Sequence, residues 1–303
     1  VGVRNTAPTE ENTLTTRKLT AETTGPVTID TALLGHAGAI TVSADKDCER
    51  ASLIVTTADD EGPAADAVRN ATLNQSGTTL FASVQGESSN TTGNTGITIR
   101  GNGNSVVQNA VNVTGTMIGI QGGVIGGNSA AAIGVQETSP IEISAVVPEG
   151  SSVVGHTQSA GIEAIGTFAT VGGRTQSGQV RIDDAGKAVA KTQSGRVTIN
   201  RADDISVKTQ SGDIHLNRTH VVEAETQSGD IDIQDFTRTA RLNTMTGDIR
   251  VHATAGGNIS ARTMTGDINI TATQAASGDL NVQTSTMTGS ASTPQSRTTG
   301  RRP

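Results

Sequence analysis

The chain has 303 residues, a net charge of −7, no Trp, no Tyr and only three Phe, namely Phe81, Phe168 and Phe236. So few rings exclude a core built on aromatic packing and leave Val, Ile, Leu, Ala and Thr to fill it in thin layers, which suits strands. The acidic balance argues against a nucleic-acid partner, the single Cys48 excludes an internal disulfide, and no stretch is long and apolar enough to insert into a bilayer.

Residues 1–25 are polar and Thr-rich and read as a flexible N-terminal segment. Residues 26–136 form a β-rich N-terminal region. Strand-like runs lie at Val27–Ile29, Ala39–Val42, Leu53–Val55 and Leu80–Val84, and a short helix is compatible with Glu61–Ala71, its start limited by Pro63. Gly86–Gly103, rich in Gly, Asn, Ser and Thr, reads as a loop. Ser105–Val135 carries no charge and reads either as tightly stacked strands or as an exposed adhesive segment. Residues 137–289 carry the repeats, and 290–303, without large apolar side chains, reads as a disordered tail. No capping helix is evident at either end of the repeats.

Thr-Gln-Ser-Gly recurs at Thr175–Gly178, Thr192–Gly195, Thr209–Gly212 and Thr226–Gly229, seventeen residues apart each time, after a variant at Thr157–Ala160. Thr-Met-Thr-Gly replaces it at Thr244–Gly247, Thr263–Gly266 and Thr286–Gly289, with the spacing growing to eighteen, nineteen and twenty-three through loop insertions. Each repeat holds two alternating segments, as in Asp213-Ile214-His215-Leu216 and Val222-Glu223-Ala224. Period-two alternation marks a strand with one buried face, and no helical period occurs here. The buried set is Ile214, Leu216, Val222 and Ala224 in one repeat and Ile231, Ile233, Ala240 and Leu242 in the next. One repeat cannot cover that face, but stacked repeats can. The fold class is therefore all-β: a right-handed parallel β-solenoid of about eight coils, with coils of about seventeen residues, roughly 40 Å long. The Gly suits a corner at positive φ, and the Asp or Asn after it suits the turn. Parity with Val207 points Thr209 and Ser211 inward and Gln210 outward, unless a bend before the Gly reverses it. Gln176, Gln193, Gln210 and Gln227 would then form a column able to hydrogen-bond along the stack.

The Thr-Gln-Ser-Gly-Asp-Ile copies, led in by Ile141-Glu142-Ile143-Ser144 and Pro148-Glu149-Gly150, resemble the bacterial putative-adhesin, β-strand-repeat family, domain of unknown function 4097. The resemblance covers roughly residues 27–289 and is carried mainly by the repeats, while Ser105–Val135 departs from the family pattern. It implies a β-solenoid with a surface or envelope role and brings no catalytic residues.

Three groups of side chains invite a functional reading. Asp213, Asp230, Asp248, Asp267 and Asp279 would form an acidic column able to hold calcium through oxygen ligands, against the simpler account of solvated turn residues. Thr244/Thr246, Thr263/Thr265 and Thr286/Thr288 would suit an ice-binding array if both members of each pair faced outward, against interior or corner threonines satisfied locally. Asp183-Asp184 and Asp203-Asp204 are adjacent pairs, but neighbours on a strand face opposite ways and cannot flank one glycosidic bond. His36, His156, His215, His220 and His252 lack zinc spacing, no nucleophile-elbow or phosphate-loop pattern occurs, and sequons such as Asn217-Arg218-Thr219 are expected by chance in a Thr-rich chain. No catalytic, cofactor or metal residue is assigned.

The sequence therefore points to a non-catalytic structural or adhesive protein at the bacterial cell surface or outside the cell, with a protein or cell-surface partner. The alternative is a self-assembling filament or array subunit joined through exposed solenoid ends; a calcium- or ice-binding solenoid ranks behind both. The chain opens on Val1 rather than Met, compatible with a removed leader. No signal peptide is visible, which leaves a cytoplasmic location as the alternative.

Overall fold

The computed structural model describes residues 14–86, 97–101, 104–108 and 139–294. The strands, in chain order, are β1 (Thr15–Thr20), β2 (Thr28–Leu34), β3 (Gly38–Asp45) and β4 (Ser52–Thr57), then helix α1 (Pro63–Arg69), β5 (Thr72–Ser76), β6 (Thr79–Gln85), β7 (Ile97–Gly101) and β8 (Asn104–Gln108). They continue as β9 (Ile141–Pro148), β10 (Ser152–Thr157), β11 (Gly161–Arg174), β12 (Val180–Lys191), β13 (Val197–Lys208), β14 (Ile214–Ser228) and β15 (Ile231–Thr246). The last are β16 (Ile249–Ala253), β17 (Gly257–Thr265), β18 (Ile268–Ala272), β19 (Leu280–Thr288) and β20 (Ala291–Ser292).

The chain is all-β, with mostly parallel pairing in an open, β-solenoid-like stack. Strands β11 to β15 are long because each serves two ladders. β11, for example, pairs with β3 through Gly161–Ile165 and with β10 through Ser152–His156 against Thr170–Arg174. The first ladder runs β1, β4, β9, β3, β11 and onward to β15, then β16, β18 and β20. The second runs β5, β6, β2, β10, β11 and onward to β15, then β17 and β19. Only the N-terminal pairings β1–β4, β4–β9 and β5–β6 are antiparallel in this unit.

Register sets the core. Val180, Val197, Ile214 and Ile231 stand in one column, and Ile182, Ile199, Leu216 and Ile233 in the next. From the second ladder, Ala188, Ile205, Val222 and Ala240 face them, all buried. The eight side chains that alternation assigns to the interior of two successive repeats are buried and in register, Ile214 on Ile231 and Ala224 on Leu242 among them. Each aliphatic side chain thus meets equivalents above and below as well as those across the stack, and the apolar surface one repeat leaves open is covered by the next. Phe168 and Phe236 share a third column, separated by Ala185, Ala202 and Thr219; small neighbours give each ring its room.

Several boundaries differ from those expected. β1 lies within the segment 1–25 read as flexible, because Thr15–Thr20 pairs with β4; residues 1–13 lie outside the described residues. The N-terminal strands are not a separate region before residue 137. Ile40 and Val42 of β3 stand in register with Ile162 and Ala164, so these strands supply the first layers of the repeat columns. The short helix forms as α1 and does cap an end: Ala64, Ala65, Ala67 and Val68 are buried, and α1 packs on β1, β4 and β6. A helix with alanines on its inner face can lie close to a sheet edge. Within Gly86–Gly103, Ile97–Gly101 is a strand and pairs antiparallel with β8 in a compact unit of its own, in keeping with its β-branched Ile-Thr-Ile run. Most of the charge-free Ser105–Val135 lies outside the described residues. Ala291–Ser292, at the head of the expected tail, extends the first ladder beside β18; residues 295–303 lie outside the described residues.

Candidate functional site

The surface the stack offers is built from columns of outward side chains, one per repeat, and from the corners between ladders. The Thr-Gln-Ser-Gly corner is set by its first hydroxyl. Thr192 is buried and its Oγ1 accepts the Gly195 N–H at 2.8 Å; Thr175 and Thr209 do the same for Gly178 and Gly212 at 2.9 Å. The turn this closes flips the parity, so Ser211 is exposed beside Gln210 rather than inward, which corrects the strand-parity expectation. Gly178, Gly195 and Gly212 are not at positive φ. What requires them is closeness: a Cβ on Gly212 would stand 2.0 Å from the Gly195 carbonyl oxygen. Positive φ enters with the fourth copy, at Gly229 (+158°), and continues at Gly247 (+145°) and Gly266 (+140°).

From Thr226 on, the corner straightens into strand. Thr244 and Thr263 turn their hydroxyls to the carbonyls of Gly229 and Gly247 in the preceding repeat, at 3.4 and 3.2 Å. The structural change thus begins one repeat before Gln-Ser gives way to Met-Thr. The Gln column exists, but its links run through the backbone: the Gln176 carbonyl accepts the N–H groups of Gln193 and Ser194 at 3.1 and 2.8 Å. Met245, Met264 and Met287 continue it as exposed side chains.

The threonine pairs do not face one way. Thr244 and Thr263 are buried, whereas Thr246 and Thr265 are exposed. An outward two-dimensional Thr array is therefore not formed by these pairs.

The acidic column is a hydrogen-bonded ladder. Asp213 Oδ1 accepts the Asp230 N–H at 3.2 Å, Asp230 Oδ1 that of Asp248 at 2.8 Å, Asp248 Oδ1 that of Asp267 at 2.9 Å, and Asp267 Oδ1 that of Ser290 at 2.7 Å. The outer oxygens face arginines: Arg196 on Asp213, and Arg250 between Asp230 and Asp248 at 3.1 and 2.7 Å. The Ser290 N–H and hydroxyl hold the Asp267 carboxyl below its ordinary pKa, and the paired carboxylates raise that of Arg250. Repulsion along the column is thus relieved from within the chain. Asp279 is not a member. Its backbone carbonyl accepts the Gly257 N–H at another corner, because it leads into β19 of the second ladder, and Ser290 takes the place after Asp267.

The adjacent aspartates are spread over opposing partners. Asp184 meets Arg201 at 3.3 Å, Asp204 meets Lys187 at 3.3 Å, and Asp203 lies 2.9 Å from His220 Nδ1. Asp235 is held by Arg218 at 2.9 Å and by the Thr254 hydroxyl, the larger cause of its lowered pKa. The histidines are dispersed: His215 lies 3.9 Å from Asp232, His252 bonds to the Thr271 hydroxyl, and His36 has Nε2 buried without a partner, its pKa lowered by burial. Cys48 is half-buried, with Sγ 3.2 Å from the Arg50 carbonyl. Asn217 of the sequon donates to Asn200 Oδ1 at 2.7 Å. Among the described residues, no group of three or more His, Cys, Asp or Glu is placed to share a metal ion, and no helix is long and apolar enough to cross a membrane.

This stack of Thr-corner repeats falls within a stretch, residues 75–302, that matches the sequence profile of Toastrack DUF4097. The chain belongs to the Toastrack family. Its resemblance in sequence to the DUF4097 repeats thus stands. Among solved structures, the Toastrack chain is similar to a putative adhesin from Parabacteroides merdae, with 11% identity, 93% of this chain and 96% of that one covered, and a TM-score of 0.45. It is also similar to a putative lipid binding protein from Parabacteroides distasonis (14% identity, 92% and 95% covered, TM-score 0.46). A third is a putative adhesin from Bacteroides fragilis (16% identity, 93% and 98% covered, TM-score 0.40). No curated protein sequence matches it.

Proposed function

We propose that this Toastrack chain is a non-catalytic adhesive or structural scaffold of the bacterial cell surface or envelope, wound as a right-handed solenoid with coils of about seventeen residues. Right-handed winding is what parallel strands joined by crossovers adopt, and the register of Val180 on Val197 and of Val197 on Ile214 supports the coil length. The observation that carries the functional reading is the one-per-repeat array of outward polar side chains on a close-packed spine. Such an array repeats one contact along a line and suits an extended partner. The residues a catalytic reading would use are engaged elsewhere, Asp184 with Arg201 and Asp203 with His220. The test is a deletion strain compared with its parent for surface attachment and envelope integrity, with protease accessibility of the protein on whole cells. Loss of attachment and cleavage on intact cells are expected; unchanged attachment and integrity would remove the proposal.

One observation favours a second reading, self-association through the C-terminal end. β19 carries no charged residue over Leu280–Thr288, Leu280 and Val282 are only half-buried, and among the described residues no strand lies beyond it in the second ladder. An uncharged strand edge invites pairing. With α1 on the other end, that pairing joins two C-terminal ends rather than building a filament. Sizing at rising concentration would show a dimer; a monomer throughout would end this reading.

A further inference from the structure

We propose that the column His156, Arg174, Lys191 and Lys208 is a binding strip for a linear anionic glycan, a chain bearing a carboxylate on successive sugars; the inference names a ligand for the adhesive reading and rests on it. The four side chains are in direct register on the second ladder, His156 on Arg174, Arg174 on Lys191 and Lys191 on Lys208. Parallel register places such neighbours about 4.8 Å apart, and like charges at that separation disfavour the fold.

Elsewhere in the stack, charges in contact are compensated. Glu163 meets Arg181 at 3.5 Å, Lys187 meets Asp204, and Arg196 meets Asp213. Where like charges do stack, each is relieved by the next member of its own column: Arg201 and Arg218 are in register, yet Arg201 turns to Asp184 on one side and Arg218 to Asp235 on the other. The aspartate column is relieved by backbone N–H groups and arginines. The basic column departs from this pattern. Arg174 and Lys191 are exposed and form no ion pair within the described residues. Lys208 is held by Glu225 at 2.8 Å, which closes the strip on that side. Two uncompensated cations in direct register, Arg174 and Lys191, on a chain of net charge −7, call for an anion from outside.

The flanks of the strip indicate what carries that anion. Two residues beyond each member of the column stands an exposed corner amide, Gln158 after His156, Gln176 after Arg174, Gln193 after Lys191 and Gln210 after Lys208, and each is followed by an exposed serine. The repeats of Arg174, Lys191 and Lys208 therefore each offer one cation, one amide and one hydroxyl in line, which suits a sugar that presents a carboxylate and hydroxyls on each unit. A nucleic acid would call for aromatic platforms to stack its bases, and the chain has no Trp or Tyr. A flat anionic membrane would have to cover Asp204, Glu223 and Glu225 on the same ladder.

The test is calorimetry on the full chain with a long oligogalacturonate, a homopolymer with one carboxylate per sugar. Wild-type protein is expected to bind it, more weakly as salt rises and more weakly still as the oligomer shortens to the monosaccharide. The R174Q/K191Q double variant is expected to lose about tenfold in affinity, as two exposed charge contacts allow. K191Q alone is expected to lose part of that, and K187Q, outside the column, none. Thermal melting should leave the double variant as stable as the parent or more so, since a repulsion is removed. Absence of binding by the wild type, unchanged binding by the double variant, equal binding of neutral dextran, or tighter binding of a single-stranded DNA oligonucleotide would each overturn the proposal. Failure here with attachment still lost in the deletion strain would leave the adhesive reading standing and remove only the glycan.

Discussion

Gly195 stacks on Gly178 so closely that a Cβ at Gly195 would stand 1.7 Å from the Gly178 carbonyl oxygen. The obstacle is backbone, so nothing flexible can yield, and relief requires the two repeats to part. Gly195→Ala is expected to destabilise the protein by about 3 kcal/mol or more, read as a lowered urea midpoint. Gly278→Ala, where nothing lies within 4 Å, is expected to change it by less than about 0.5 kcal/mol. Equal midpoints for the two variants would refute the close-stacking account.

The aspartate ladder gives a second prediction. Asp230 accepts the Asp248 N–H and faces Arg250. Asp230→Ala removes both contacts and is expected to cost about 1–2 kcal/mol. Asp230→Asn keeps an oxygen acceptor, loses the charge, and is expected to cost about half as much. Thermal melts in low and high salt separate the two contributions, because only the ionic one is screened. If calcium raised the melting temperature of the parent protein but not of Asp230→Ala, the column would be a metal site after all.

Thr219 is buried with Oγ1 unpartnered, between Ala202 and Phe236 in its column. A buried hydroxyl without a partner keeps its desolvation cost. Thr219→Val keeps the shape and is expected to stabilise the fold by about 1 kcal/mol, measured by chemical denaturation. A loss of stability would mean that the hydroxyl has a partner, such as a buried water.

Acid should weaken the fold in two separate windows. Burial lowers the pKa of His36 from 6.5, so the unfolded chain takes up its proton first, and stability falls as pH drops below that value toward the lower folded one. Asp235 and Asp267 have folded pKa values below the ordinary 3.8. Their contribution is complete above that value and is lost as pH falls through the lower folded values. Asp235→Asn should shrink the lower window, leaving the share of Asp267, and keep the upper one intact, whereas His36→Gln should remove the upper one and keep the lower, in urea titrations across pH. A single acid transition untouched by either change would contradict the assignment.

The sequence alone determined the spine of this protein. Alternation at Ile214, Leu216, Val222 and Ala224, repeated seventeen or eighteen residues on, leaves one way to bury every apolar face: stack the repeats in register. That inference needs only the period of a strand and the cost of exposed aliphatic surface. The corner threonines, the Gln column and the short helix were legible for the same reason, since each depends on local spacing. The tertiary structure decided the contacts between repeats. Ser211 turns outward because the Thr209 hydroxyl closes the corner through Gly212, and parity along a strand is lost at such a bend. The glycines serve a close approach between repeats, which no single repeat reveals. Asp213 to Asp267 became a ladder and Asp279 stands outside it, because Asp279 leads into a strand of the second ladder while Ser290 follows Asp267 in the column. The basic strip from His156 to Lys208 was hidden for the same physical reason: its members are seventeen or eighteen residues apart in the chain and become neighbours only when parallel strands lie side by side.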